Sequence, residues 1–335
     1  MKKLCIIAAI LLVVGIVLCA LGLGMTGAHW KDSFVGELTD KTIDIGEDFS
    51  NIQINTDTTD VVFSLSEDGG CRILCRETEH QPHTAKVENG TLILRQENNR
   101  KWYHYIGFHF ETPSAEIQLP KKAFETLTLE GDTGDVVIPQ ELTFANVKID
   151  SSTGKVDVRS QVEKTLAVQL STGNILVSGA ECETVNVKTS TGEIRILGVN
   201  CESLTAKSST GRQLLENVQA SENIQLTCST GNIHFTRGSC RNLTTESSTG
   251  RQNMEYVVAS GDARMESDTG DISLADFDAA TMVIATDTGD VSGTILSEKI
   301  FFTETDTGRV EVPRCTGGGS CEITTDTGDI IIQIP

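Results

Sequence analysis

The side chains best placed to do chemistry in this 335-residue chain are aspartates that recur at a fixed spacing. Asp268, Asp287, Asp306 and Asp326 each stand two residues before a glycine, and Asp271, Asp290 and Asp329 each stand one residue after it. Arg309 takes the fourth such place. Regularly spaced carboxylates offer the hard oxygen ligands that Ca²⁺ prefers, at the weak affinity of about 10⁻⁴–10⁻³ M typical of extracellular modules. The nonapeptide Ca²⁺ repeat of secreted toxins is absent. Weak Ca²⁺ is therefore the one expectation for these seven aspartates, and no other cofactor is expected.

Cysteine is the second candidate. Cys182 and Cys201 are 19 residues apart. Strands stacked in that register would bring their Cα atoms to ~4.8 Å, inside the roughly 4.4–6.8 Å window of a disulfide. The alternative is a buried thiol ladder, since cysteine packs as a small apolar residue. Cys315 and Cys321 flank Thr-Gly-Gly-Gly-Ser and could close that loop, whereas Cys71 and Cys75, four apart on one strand, are too distant to pair.

A third candidate is Trp102, Tyr103, Tyr105, Phe108 and Phe110, five aromatics within nine residues of a chain that is 5% aromatic overall. They read either as an apolar flap over the first coil or as a platform for a sugar, peptide or lipid.

Catalysis finds little support. His234 is the sole histidine beyond His109, and no Ser-His-Asp order or metal-spaced His/Cys set occurs in the repeats. A polysaccharide-active β-helix enzyme would need clustered carboxylates in a groove built by long loops, and the repeat spacing leaves little room for them. The Thr-x-Thr pairs, such as Thr286/Thr288, share alternation parity with apolar positions. They should point inward, which argues against an ice-binding face.

These side chains must be positioned by a repeat. Thr-Gly recurs with glycines at Gly134, Gly154, Gly173, Gly192, Gly211, Gly231, Gly250, Gly270, Gly289, Gly308 and Gly328, and every step is 19 or 20 residues. Counting each glycine as zero, −2 is Asp or Ser in every copy, and −7, −5, +2 and +4 are mostly apolar, as in Val185/Val187 and Ile194/Ile196. Alternation on both sides of a turn reads as strand, corner, strand. Glycine tolerates corner angles that other residues resist, and the −2 oxygen is expected to accept from the turn's own amide. A coil this short cannot bury its apolar face alone, so a fixed period near 20 marks a solenoid. The fold expected is an all-β parallel β-solenoid, right-handed by the usual crossover preference. Gln213, Gln252 and Gly293, at normally apolar positions, mark coils expected to bulge.

Residues 29–125 read as less regular strands that form earlier coils and a cap, with an aromatic excursion at 97–112; a separate β-sandwich is the alternative. Thr59 takes the glycine place 75 residues before Gly134, close to four periods. Ahead of this, Lys2 and Lys3 precede an uncharged run from Leu4 to Leu23. That run matches the ~20 residues needed to span a bilayer, and the lysines favour a cytoplasmic N-terminus. Residues 1–28 are thus expected to be a single-pass anchor, a cleaved signal peptide being the rival reading, with the regular solenoid at 126–335 outside the cell. A formal net charge of −20 argues against nucleic-acid partners.

An N-terminal anchor, a strand-rich lead and repeated Ser/Asp-Thr-Gly corners, as in Ser190-Thr191-Gly192 and Asp287-Thr288-Gly289, resemble the bacterial "putative adhesin" family of β-strand-repeat proteins. The resemblance covers roughly residues 40–335. It implies an extracytoplasmic β-solenoid without an established enzymatic activity, acting in adhesion or cell-envelope sensing through an unknown envelope protein or glycan. An envelope scaffold is the further alternative. The chain ends in Asp-Ile-Ile-Ile-Gln-Ile-Pro. Ile330, Ile332 and Ile334 are expected inward, Ile331 and Gln333 outward, and the strand is expected to form a free edge open to self-association.

Overall fold

The computed structural model describes residues 12–17, 38–99 and 112–335. Residues 12–17 are helical, and no helix among the described residues is long and apolar enough to cross a membrane. Most of the expected anchor lies outside the described residues, as do Trp102, Tyr103, Tyr105, Phe108 and Phe110.

The remainder is strand. Each regular coil has strand on both sides of its Thr-Gly corner, as in Glu181–Thr191 and Ile194–Leu197. Like strands stack in parallel, residue over residue: Ile149 on Val168, Val168 on Val187, Val187 on Ala206. Alternation sends one row of side chains inward. Val156, Ile175, Ile194, Ile233, Ile272, Val291 and Ile330 are all buried in one continuous core. Each buried Val or Ile contributes about 1.5–3 kcal/mol, and the ordering of the chain opposes much of the total. Gln213 and Gln252 share that row and are also fully buried. Gln213 makes no bulge, because its amide donates to Ser208 Oγ at 2.9 Å and to the Thr227 carbonyl at 2.7 Å, so the ladder keeps its register. At Gly293 the expected irregularity is present, with a register shift between Leu274 and Phe277.

The corner is a ladder of backbone contacts. A Cβ on Gly192 would lie 1.9 Å from the Gly173 carbonyl oxygen, and one on Gly211 would lie 1.9 Å from that of Gly192. The same contact repeats from Gly134 to Gly328, so glycine is required by close approach and, at every one of these corners except Gly308, by positive φ as well. The amide of each corner glycine donates to the next coil's Thr carbonyl, as Gly192 does to Thr210 at 2.9 Å. Threonine at −3 points inward and caps the glycine carbonyl of the neighbouring coil: Thr189 to Gly173 at 3.1 Å, Thr286 to Gly270 at 3.2 Å, Thr325 to Gly289 at 3.1 Å. The −2 side chains, contrary to expectation, are exposed and make none of these bonds. The polar residue at +1 bonds instead, accepting from the +1 amide of the next coil, as Asn174 does from Glu193 at 2.8 Å. A second corner stands at +6, where Gly179, Gly198, Asn217, Arg237, Tyr256 and Asp276 all take left-handed φ on successive coils.

Both ends depart from sequence order. The Thr59 coil lies directly on the Gly134 coil, with Ile54 over Leu129 and Val61 over Val136. The described residues between them therefore do not form a set of coils separating the two; they build a cap on the outside. Thr91–Gln96 stacks on Asn51–Thr58 and is covered by antiparallel His83–Glu88. Ser114–Leu119 stacks on Asp60–Leu65 and is followed by antiparallel Cys71–Glu77 and Thr39–Ile45.

At the other end the last two coils are exchanged. Gly289 donates to Thr327 and Gly328 donates to Thr307, so the Gly328 coil lies between those of Gly289 and Gly308. The final strand, Ile330–Gln333, pairs with Val291–Ile295 on one side and Val310–Glu311 on the other. It is not the free edge. Its alternation is as expected, with Ile330 and Ile332 buried and Gln333 exposed. The edge belongs to Lys299–Thr307, which pairs only with Gly319–Thr327 among the described residues.

Three substitutions test the corners against an ordinary hairpin turn. Gly192→Ala is expected to cost about 3–5 kcal/mol because a carbonyl occupies the Cβ position, whereas Gly90→Ala, at φ 72° with open space, should cost about 1–2 kcal/mol from its φ alone. Tyr256→Gly, relieving φ 56° at an exposed side chain, should stabilise by about 0.5–1 kcal/mol. Urea unfolding midpoints check all three.

Candidate functional site

The capped end carries a polar groove of about 590 Å³. Asn55 and Asp57 come from Asn51–Thr58, Gln96 from Thr91–Gln96, Glu130 and Asp132 from Ala123–Thr133, and Asp150 from Thr143–Thr153. Stacking makes the site, because every contributing strand except Thr91–Gln96 presents its outer face just before a corner. Gln96 anchors one wall: its Oε1 accepts from the amides of Asp57 and Thr58, both at 2.9 Å. Asn55 donates to Glu130 at 3.1 Å, and Asn98 donates to Asp57. No ion pair among the described residues neutralises Asp132 or Asp150. The groove therefore offers carboxylate acceptors and amides to a ligand rich in hydroxyl or cationic donors.

Beneath the cap lies a buried network. Cys75, Glu77 and His83 are the described residues whose donor atoms converge within 4.8 Å as a set of three. The protein itself satisfies the histidine and the carboxylate. Glu77 accepts from the backbone amide of His83 and from His83 Nδ1 at 3.1 Å, and it pairs with Lys41 Nζ at 3.3 Å. Because ionised Glu77 can only accept, Nδ1 carries the proton, and Nε2 accepts from Thr59 Oγ1 at 3.1 Å. Burial outweighs the pull of Glu77 and holds the His83 imidazole below its ordinary titration range. Thr59 stands where later coils have glycine; its side chain turns to His83 at the junction of coil and cap. Sequence reasoning missed both this network and the groove.

The sequence-singled aspartates form rows whose order follows the exchanged coils. The −2 row runs Asp268, Asp287, Asp326, Asp306, all exposed. The +1 row runs Asp271, Asp290, Asp329 and ends at Arg309 rather than being interrupted by it. Asp271 accepts from the Asp290 amide at 3.2 Å, Asp290 from the Asp329 amide at 2.8 Å, and Asp329 from the Arg309 amide at 2.8 Å. Arg251 closes one end of the row on Asp271 at 3.2 Å, and Arg309 closes the other on Asp329 at 2.8 Å. Hydrogen bonds and charge from Arg309 lower the Asp329 pKa. Backbone amides and two guanidiniums thus account for much of what holds like charges in line.

Cys182 and Cys201 are in register on neighbouring strands, and both are free thiols. Burial pushes Cys182 up to about 11 and Cys201 to about 12. Cys315 and Cys321 are free as well, and Cys321 lies 3.8 Å from the Met282 sulfur.

Stacked coils with glycine corners and an antiparallel cap define an all-β parallel β-solenoid. The chain matches the Toastrack DUF4097 family over residues 49–239 and 222–335, and it belongs to that family. Among solved structures it is similar to a "putative adhesin" from Bacteroides fragilis (14% identity, 78% of this chain and 98% of that one, TM-score 0.40). It is also similar to a "putative adhesin" from Parabacteroides distasonis (12%, 87% and 99%, TM-score 0.45). A "putative lipid binding protein" from the same species is similar too (12%, 90% and 99%, TM-score 0.39). No curated protein matches.

The His83 network generates a pH prediction. The unfolded chain binds a proton at His83 more readily than the folded one, so stability falls as pH drops from the ordinary imidazole value of about 6.5 towards the lowered folded value. His83→Gln removes this contribution and should flatten the loss between about pH 7.5 and about pH 5.5, measured by urea unfolding of both proteins.

Proposed function

We propose that the protein is a non-enzymatic binding module, anchored in the membrane by residues 1–28 and displaying its solenoid outside the cell for adhesion or envelope sensing. The observation that carries this reading is the groove at the capped end, where Asp132 and Asp150 present carboxylates on a wall built by stacked strands. A ladder with a filled apolar core holds such a surface rigid, so binding costs little reordering of the wall. The ligand class it fits is an envelope glycan, or a protein presenting hydroxyl or cationic donors. Lys2, Lys3 and the apolar run Leu4–Leu23 support the anchor. The exposed aspartates of the −2 row extend the reading to weak Ca²⁺, for which melting temperature should rise from chelator to millimolar Ca²⁺.

A photo-crosslinking residue in place of exposed Ser152, at the groove, tests the reading in intact cells. It is expected to capture a discrete envelope partner, and Asp132→Asn with Asp150→Asn should abolish capture. Failure to capture, together with turnover of pectin, alginate or peptidoglycan that Asp150→Asn removes, would replace the binding module with a polysaccharide-active enzyme. A membrane-impermeant label that fails to reach the exposed Lys188 and Lys207 in cells would overturn the topology.

A further inference from the structure

Along much of the outer wall a cation is answered by a carboxylate one coil away. Arg212 pairs with Glu193 at 3.1 Å, Arg241 with Glu222 at 3.2 Å, Arg251 with Asp271 at 3.2 Å, and Arg237 with Glu216. A chain with 47 acidic and 27 basic side chains has carboxylates to spare for this. One patch departs from the pattern. Lys188 and Lys207 stand directly opposite each other on neighbouring parallel strands. Their row continues to Gln169 on one side and Thr227 on the other, so neither neighbour in it is a carboxylate. Lys148 lies two coils from Lys188 in the adjacent outward row, with Ala167 and then Asn186 beside it. All three lysines are exposed, and their side chains make no ion pair or hydrogen bond among the described residues. Like charges opposed across two strands destabilise a sheet, and nothing within the described chain offsets that cost here.

The three lysines line one groove of about 360 Å³. Ala167 makes the recess, because its single methyl stands in a row between Lys148 and Asn186. Gln169, Asn186 and Thr205 line the same groove, and their amides and hydroxyl can both donate and accept. Asp150 is the one carboxylate of the lining and lies at the end nearer the cap, where the groove meets the acidic one. Four coils contribute, so the groove runs about 14 Å along the axis at ~4.8 Å per coil.

We propose that this groove binds a hydroxyl-rich polyanion, a polymer whose sugars or polyols carry repeated carboxylate or phosphodiester groups. Each ammonium offers three donors to anionic oxygens, and charge-assisted bonds of that kind are the strong ones. An anionic group between Lys188 and Lys207 removes their mutual repulsion. Gln169, Asn186 and Thr205 meet the hydroxyls that separate one charge from the next. A recess along the axis receives a chain rather than a flat surface. The acidic wall elsewhere repels the same polymer and so confines it to the groove.

Titration calorimetry of the full chain in detergent tests this, at about 0.1 M salt, where a Debye length of about 10 Å keeps remote acidic charge out of the contact. The probes are hexagalacturonate, a glycerol phosphate hexamer, uncharged maltohexaose and hexaglutamate. An anionic sugar or polyol hexamer is expected to bind about tenfold or more tighter than maltohexaose. Whether hexagalacturonate or the glycerol phosphate hexamer binds better tells carboxylate from phosphodiester. Lys188→Gln with Lys207→Gln should weaken binding about tenfold. The melting temperature should not fall, because a like-charge contact is relieved. Lys121→Gln with Lys164→Gln, two exposed cations outside the groove, should leave the affinity within about twofold. The proposal is overturned if neither hydroxyl-bearing anion outbinds maltohexaose, or if the control pair weakens binding as much as the groove pair. Hexaglutamate binding as tightly as both also overturns it, since charge alone would then be read. Capture at Ser152 is measured separately in cells, so failure here leaves the binding-module reading standing.

Discussion

Backbone approaching backbone at the Thr-Gly corner is the contact on which the rest of the structure depends. Coils stack only if each corner glycine sits against the carbonyl of the corner before it, at a distance that excludes a Cβ. Once that approach is made, the Thr carbonyl, the −3 hydroxyl and the +1 carboxylate or amide complete the corner's hydrogen bonds. The corner then sets the register of the flanking strands, and the register decides that Ile194 lies over Ile175 rather than beside it. Core, wall and groove all follow from this ladder. A repeat protein adds stability through neighbouring interfaces, so one faulty corner weakens two interfaces at once.

The ends obey a different logic. A solenoid must stop somewhere, and each stop leaves strand edges and uncovered core. The N-terminal end closes by reversing direction, with His83–Glu88 and Cys71–Glu77 running antiparallel to their neighbours. The buried His83–Glu77 pair, with exposed Lys41 at its rim, ties that reversal to the first coil through Thr59. The C-terminal end is solved by exchange. Ile330–Gln333 is inserted between two other strands, so among the described residues the open edge lies on the preceding coil. Polar groups inside the core are handled locally in the same spirit: Gln213 takes an isoleucine's place because a serine hydroxyl and two backbone carbonyls meet its amide.

Charge is distributed to suit this architecture. Side chains of like sign recur in rows because the repeat places the same position of every coil in line. The +1 aspartates stay in line because each takes a backbone amide of the next coil, and because Arg251 and Arg309 stand at the two ends of the row. The groove at the capped end has no such closure at Asp132 and Asp150. There carboxylates face outward without an ion pair among the described residues, as they do along the −2 row, and the binding reading rests on the groove they share with Asn55 and Gln96.

Period, corner and alternation were legible in the sequence because each is local. Eleven Thr-Gly corners in ten steps of 19 or 20 residues, with apolar residues at −7, −5, +2 and +4, specify a parallel solenoid and say which residues enter its core. The second corner left a trace as well, in Gly179 and Gly198 six residues after their Thr-Gly glycines, but Arg237 and Tyr256 in the same conformation concealed it. The order of the coils was not legible. Nothing local separates a coil that follows its predecessor from one that is inserted behind it, since the same corner bonds form either way; only the pairing of Ile330–Gln333 on both sides decided it. The groove and the His83 network depend on contacts such as Asn55 with Glu130, 75 residues apart. Tertiary folding alone brings such residues together, because the chain leaves the solenoid to build its cap before it returns.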